Sequence, residues 1–364
     1  MTWGPRTPRP ESEVKAMGVW YVTREEVKAA LDFKYSAQSD ALIDRAIESA
    51  SRAVEGLTHR RFYPETDTRY FPWPDRNSSN NPWRLWLDAD EVISVETLSA
   101  GGVTIAATDF FLEPINSGPP YTRIEIDLSS GSSFSANAGT HQRAVEVTGL
   151  FGYSNEESYA GTLLNGINTT DEAINLPDTA LVGVGHVIRI GDERMIVQER
   201  RMRDSNQNLQ TALTAQQNNT LVAVEDGTDW YKGEVILLDA ERMLITDVVG
   251  NNLIVKRAWD GTVLAAHTGS DIYALGTYSV IRGALGTTAT SHSANDTVYR
   301  WDVPGLVKEC ALAEAINNME QANSAYARVV GQESNQVEFR GRGLEGIRHV
   351  TKETYGRKAR IRGI

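Results

Sequence analysis

VWYVTREEVKAALDFKYSAQSDALIDRAIESASRAVEGLTHRRF, residues 19–62, reads as two helices and an exit, and the rest of the chain is interpreted outward from it. Thr23 is placed to cap the first helix while Glu26, three residues on, reaches back to the cap amide, and Val22 and Val27 stand at hydrophobic-staple positions. Val27, Ala30 and Leu31 then put a narrow apolar stripe on a helix of about two and a half turns, too short to persist alone in water. The second helix, opened by Ser39 or Asp40, repeats Ile43, Ile47, Ala50, Val54 and Leu57 at spacings of four and three. Alanine and serine cover much of its remaining surface, so a neighbouring backbone can approach closely. His59, Arg60 and Arg61 near its end suit the helix dipole.

At 364 residues and 41% hydrophobic, the chain has material for two or three domains with real cores, which leaves no need for a fibrous or disordered class. MTWGPRTPRP contains no apolar run of signal-peptide length, and no 18 consecutive apolar residues occur, so a cytosolic, non-membrane protein is expected. Cys310 is the single cysteine and reads as a small buried residue. The formal charge is −12, but the last 25 residues carry eight Arg or Lys against two Glu, which leaves about −18 on the rest. Such a body repels nucleic-acid phosphate, while the tail seeks an acidic partner.

Residues 1–18, with Pro5, Pro8 and Pro10, read as an extended arm. After the helices, Phe62, Tyr63, Tyr70, Phe71, Trp73, Trp83 and Trp86 crowd into 25 residues. Most of these rings belong in a core. Pro72 and Pro74 argue for an edge strand, which makes Tyr70, Phe71, Trp73, Trp83 and Trp86 a candidate subunit or partner interface. Short alternating runs from Arg84 to Val147 (RLWLD, EVISVETL, VTIA, DFFLEP, TRIEIDL, RAVEVTG) predict an antiparallel meander. Helix returns after Val303, with Pro304 in the first turn, Leu312, Ala315, Ile316 and Met319 as the buried stripe and Gly331 at the stop; it is expected to close the domain that the first two helices open.

Residues 154–301 carry a duplication with one copy split. GHVIRIGDERMIV, from Gly185, matches GEVILLDAERMLI, from Gly233, at an offset of 48. RAWDGTVLAAH, from Arg257, matches RGALGTTATSH, from Arg282, at an offset of 25. Tandem copies cannot give two offsets. One unit at 218–275 nested inside another at 176–200 plus 278–301 does, each a compact β module, with the ends of the insertion close together. His267 and His292 recur at the same place without an acidic or cysteine companion beside them, so a fixed turn or core contact is expected rather than a ligand or base.

No chemistry-bearing motif is evident. GRGLEG, Gly341 to Gly346, matches a dinucleotide fingerprint, but only 18 residues follow it, too few for the helix, second strand and ribose-binding acid. No phosphate loop, zinc-spaced histidine pair, nucleophile elbow or calcium loop is present, so neither catalysis nor a cofactor is expected.

The order of parts resembles the head-to-tail connector, or adaptor, proteins of long-tailed double-stranded DNA bacteriophages. YVTREEVKAALDF, SDALIDRAIESASRAVEGLTHRRF, TRYFPW, LDADEVISVETLSAGGVTI, TDFFLEPINSGPPYTRIEIDL and VEVTGLFGY, running to VPGLVKECALAEAINNMEQ, carry the likeness over 19–153 and 302–330. It implies an α+β fold: a helical connector domain with an antiparallel meander (19–153 plus 302–331), interrupted by an inserted all-β domain of two nested modules (154–301) and followed by a basic tail (332–364). It implies a structural, non-enzymatic virion protein, assembled in host cytoplasm into a ring of twelve copies under the portal. The ring would meet a downstream neck or tail-completion protein and continue the channel through which DNA passes without sequence-specific binding. The portal-docking tail would comprise Arg340, Arg342, Arg348, Lys352, Tyr355, Arg357, Lys358, Arg360, Ile361, Arg362 and Ile364. Simple connectors have only a short link where the β block stands, which leaves a second reading: a carbohydrate- or receptor-binding virion module carried by that block.

Overall fold

The capping box forms: Thr23 Oγ1 accepts from Glu26 N at 3.2 Å and Glu26 Oε2 from Thr23 N at 3.0 Å. It opens α1 (Arg24–Ala30), which is seven residues long and buries Val27, with Leu31 behind it, while Ala30 faces out. Val22 and Val27 are both buried, as a staple requires. These positions belong to a computed structural model that describes residues 18–31, 40–74, 81–135, 140–323, 329–330, 337–338 and 342–357. The arm before Gly18, Ser39, Gly331, Arg340, Lys358, Arg360, Ile361, Arg362 and Ile364 lie outside the described residues.

α2 (Asp40–Thr58) buries Ile43, Ala46, Ile47, Ala50, Ser51 and Val54. It ends where His59 takes φ +54°, the left-handed conformation of a helix stop. The segment before α1 lies against it: Tyr21 N donates to Ser51 Oγ at 3.2 Å, and the Tyr21 hydroxyl donates to Glu55 at 2.7 Å and accepts from Phe62 N at 3.2 Å.

Four strands, β1 (Glu65–Phe71), β2 (Arg84–Trp86), β3 (Val92–Ala100) and β4 (Val103–Ile105), are followed by β5 (Phe110–Glu113), β6 (Arg123–Ile126) and β7 (Val145–Phe151). They form two small antiparallel sheets, β1-β7-β3-β4 and β2-β6-β5. Leu85, Leu98, Ile124, Ile126, Val145 and Val147 fill a core that, among the described residues, contains no helix residue.

The β block adds β8 (Glu157–Thr162), β9 (Ala173–Asn175), β10 (Val187–Ile190), β11 (Glu193–Asn208), β12 (Leu221–Ala223), β13 (Val235–Leu238), β14 (Glu241–Val249), β15 (Asn252–Lys256), β16 (Asp271–Ala284) and β17 (Thr297–Trp301). They join in one sheet ordered β12-β15-β14-β13-β16-β11-β10-β17-β8, with β9 beside β16. The long strands β11 and β16 pair along their length and run through both modules. Their near halves belong with β8, β9, β10 and β17 around Ile188, Ile190, Val197 and Val298. Their far halves belong with β12–β15 around Ile236, Leu238, Leu253 and Ile272. The first module therefore starts earlier than its repeat motif, at Glu157, and the nested one takes in residues from Arg203 onward. Arg201 faces Thr277 across the ladder, so the ends of the nested module lie side by side.

α3 (Gly305–Asn323) buries Val307, Cys310, Ala311, Ala315 and Met319 against α2, with Leu312 and Ile316 half-buried at the margin. α4 (Arg342–Tyr355) packs on the same cluster through Ile347 and Tyr355.

This corrects the expected fold class. Strands take 37% of the chain and helices 22%, with four helices among the described residues, so the protein is a β-rich assembly of antiparallel sheets and not a helical connector domain carrying a β insertion. The cause is in the cores. The meander satisfies its apolar faces sheet against sheet, whereas the helices bury theirs together with Val184, Val187, Ile196, Ala284 and Trp301 of the β block.

Candidate functional site

The two histidines that recur in the repeat do have an acidic companion, and it recurs as well. Glu241, the first residue of β14, accepts five hydrogen bonds: from Arg257 Nε (2.7 Å) and Nη2 (2.8 Å), Ala258 N, Ala265 N and His267 Nε2 (2.9 Å each). Glu193 accepts the same five in the first module, from Arg282 Nε (2.7 Å) and Nη2 (2.9 Å), Gly283 N, Thr290 N and His292 Nε2 (2.9 Å each). Both carboxylates are buried. Burial by itself would raise their pKa values, but hydrogen bonds from the arginine, the backbone amides and the histidine outweigh it and hold each at about 2. Each arginine also donates to backbone carbonyls, Thr214, Asn219 and Ala265 in the nested module and Asn168, Asp171 and Thr290 in the first.

With every lone pair taken, these groups cannot serve as base or nucleophile; they tie the two halves of each module together. The expectation of a structural histidine agrees with this geometry, but its stated reason, a missing acidic companion, does not. The signal was in the repeat itself: Glu193 and Glu241 are identical in the first half-motif, while Arg and His recur in the second. Each histidine also has a second carboxylate near Nδ1, Asp239 at 2.6 Å from His267 and Asp296 at 3.9 Å from His292.

Four of the five candidate interface aromatics are engaged within the chain. Phe71 is buried in the meander core. Trp73 donates to Phe134 O at 2.8 Å and stacks on His141 with ring centroids 5.3 Å apart. The Arg84 guanidinium sits over Trp83 and Trp86, and Arg123 over Trp86. Tyr70 remains, 56% exposed. Tyr70 is thus the ring of the five that the edge strand β1 leaves most open to solvent.

The described part of the basic tail is folded back on the body. Arg348 forms a forked pair with the buried Glu314, its Nη2 2.8 Å from Oε2. Tyr355 meets Phe62 and Tyr153 edge-on, with centroids 5.7 and 5.4 Å away. Arg357 donates to the carbonyls of Asp88 and Ala89 and lies 3.5 Å from Glu91. Lys352 is exposed, and Arg342 opens the helix. Ile347, Thr351 and Tyr355 recur every four residues and form the docking face, a periodicity obscured in sequence by the glycines around it. Gly343 and Gly346 lie inside α4.

A cleft of about 440 Å³ lies between α1 and the nested module, lined by apolar side chains such as Val182, Leu244 and Trp259 and by charged ones such as Glu25, Arg200 and Arg300. Lys28 crosses it to Asp260 at 3.0 Å, and Asp260 also pairs with Arg242 at 2.5 Å. Deep in the cleft region His186 is held well below its ordinary pKa by burial and by the charges of Arg300, Lys308 and Arg200. Its Nδ1 accepts from Gly183 N at 2.9 Å.

Comparison with protein-family models, with curated proteins and with solved structures found no match.

Proposed function

We propose that this chain is a structural protein of a phage neck, a ring-forming adaptor beneath the portal that joins head to tail and lets DNA pass. One observation supports the reading above the rest: α1, α2 and α3, contributed by opposite ends of the chain, share a single core. The groups that look most like catalytic machinery, the two Glu–Arg–His clusters, are consumed in holding the modules together.

Electron microscopy of the purified full chain, alone and mixed with portal, tests the proposal. Rings that seat on the portal are expected; monomers that never join it would end the reading. A receptor-binding role for the β block is separated by a second variant. Removing 155–300 entirely would strip Val184, Val187, Ile196 and Ala284 from the helical core, so the cut belongs at the paired positions Arg201 and Thr277. A chain closed there by a short turn keeps ring assembly if the nested module is accessory. Loss of adsorption with assembly intact would assign that module to the host surface.

A further inference from the structure

We infer that the nested module is a hinged arm, held shut against the helices by the Asp260 turn. The two modules use the same turn, the one following the buried arginine, to meet the rest of the protein, and they use it differently. In the first module Ala284 is buried in the helical core and Leu285 packs against it. Leu285 O accepts from Thr66 N at 2.9 Å, and Gly286 is pressed so close to β1 that a Cβ there would lie 1.7 Å from Thr66 O. That module is seated by apolar burial and backbone pairing.

The equivalent turn of the nested module, Trp259–Gly261, meets α1 through charge: Lys28 Nζ lies between Asp40 Oδ1 (2.7 Å) and Asp260 Oδ1 (3.0 Å), while Arg242 holds the other oxygen of Asp260. Among the described residues, no side chain of the nested module enters the helical core, and its own core is separate from that of the first module.

What joins the modules is gathered at one end. The β11–β16 ladder shifts register between Arg201 and Arg203, beside Gly276. There Arg200 Nη2 donates to Thr179 O (2.5 Å) and Leu275 O (3.4 Å), and Glu234 accepts from Thr179 N at 2.7 Å. A two-stranded tether at one end and an ion pair at the other make a pivot and a latch, with the cleft between them. Salt weakens the latch only in part, because the screening length falls to about 3 Å at 1 M but the pair is partly buried, and leaves the apolar seat of the first module in place. The inference does not depend on the adaptor reading.

The test uses the full chain and Asp260→Asn at low salt and at about 1 M salt, followed by small-angle scattering and amide exchange. The variant, and the unaltered chain in high salt, should show larger dimensions and roughly fivefold faster exchange at 24–30 and 258–262, with protection of β13–β15 unchanged. Lys28→Met, which removes the other partner of the pair, should reproduce the Asp260→Asn result. Scattering and exchange identical to the unaltered chain at both salts would overturn the inference. So would an exchange increase that spreads through β13–β15, because the module would then be unfolding and not swinging.

Discussion

Replacing Glu241 with Gln tests the central structural claim, that each module stands on its own buried carboxylate. The substitution keeps shape but removes the charge that faces the buried Arg257. Its size follows from the carboxylate itself. A pKa held near 2 against an ordinary 4.5 corresponds to roughly 3 kcal/mol of stabilisation of the ionised form. Leaving a buried guanidinium without its partner gives a similar figure, about 3–5 kcal/mol. In a unit of about 70 residues, 3 kcal/mol lowers the melting temperature on the order of 15 °C. Because the nested core is separate, calorimetry and tryptophan fluorescence should show a new early transition, reported by the buried Trp230, while the helices and first module melt as before. Glu193→Gln should instead destabilise the first module. Protonation performs the same experiment on both: stability from these groups is complete above pH about 4.5 and is lost as pH falls through about 2, the sign required of a depressed carboxylate. A Glu241→Gln protein that melts in one transition within about 2 °C of the unaltered chain would refute the reasoning.

Two further outcomes are expected. Gly286→Ala should destabilise the first module by about 2–4 kcal/mol, because φ is +77° and the new Cβ collides with Thr66 O; an unchanged urea midpoint would contradict the contact. Arg348→Ala leaves the buried Glu314 unpaired, discounted because Arg348 is itself 44% exposed, so a loss of about 1–2 kcal/mol and faster exchange across 342–355 should follow; α4 exchanging at its original rate would show that the pair does not hold it.

The sequence determined what is local or periodic. Thr23 and Glu26 are three residues apart, and their reciprocal bonds need only a helix start. The nested repeat was legible because two constant offsets cannot both arise in tandem copies. The tertiary structure decided which faces meet. Glu193 lies 89 residues from Arg282 and 99 from His292, and no spacing rule joins them. Likewise the stripe on α2 marks an apolar face without naming what covers it: α3 and the β block cover it, while the meander closes on itself. The packing of the tail helix was hidden for the same reason, since charge dominates its composition, and the Ile347–Thr351–Tyr355 face acquires meaning only once Phe62 and Tyr153 stand opposite it. Periodicity fixes where an apolar surface lies; its partner is selected by the complementary surface that folding brings to it.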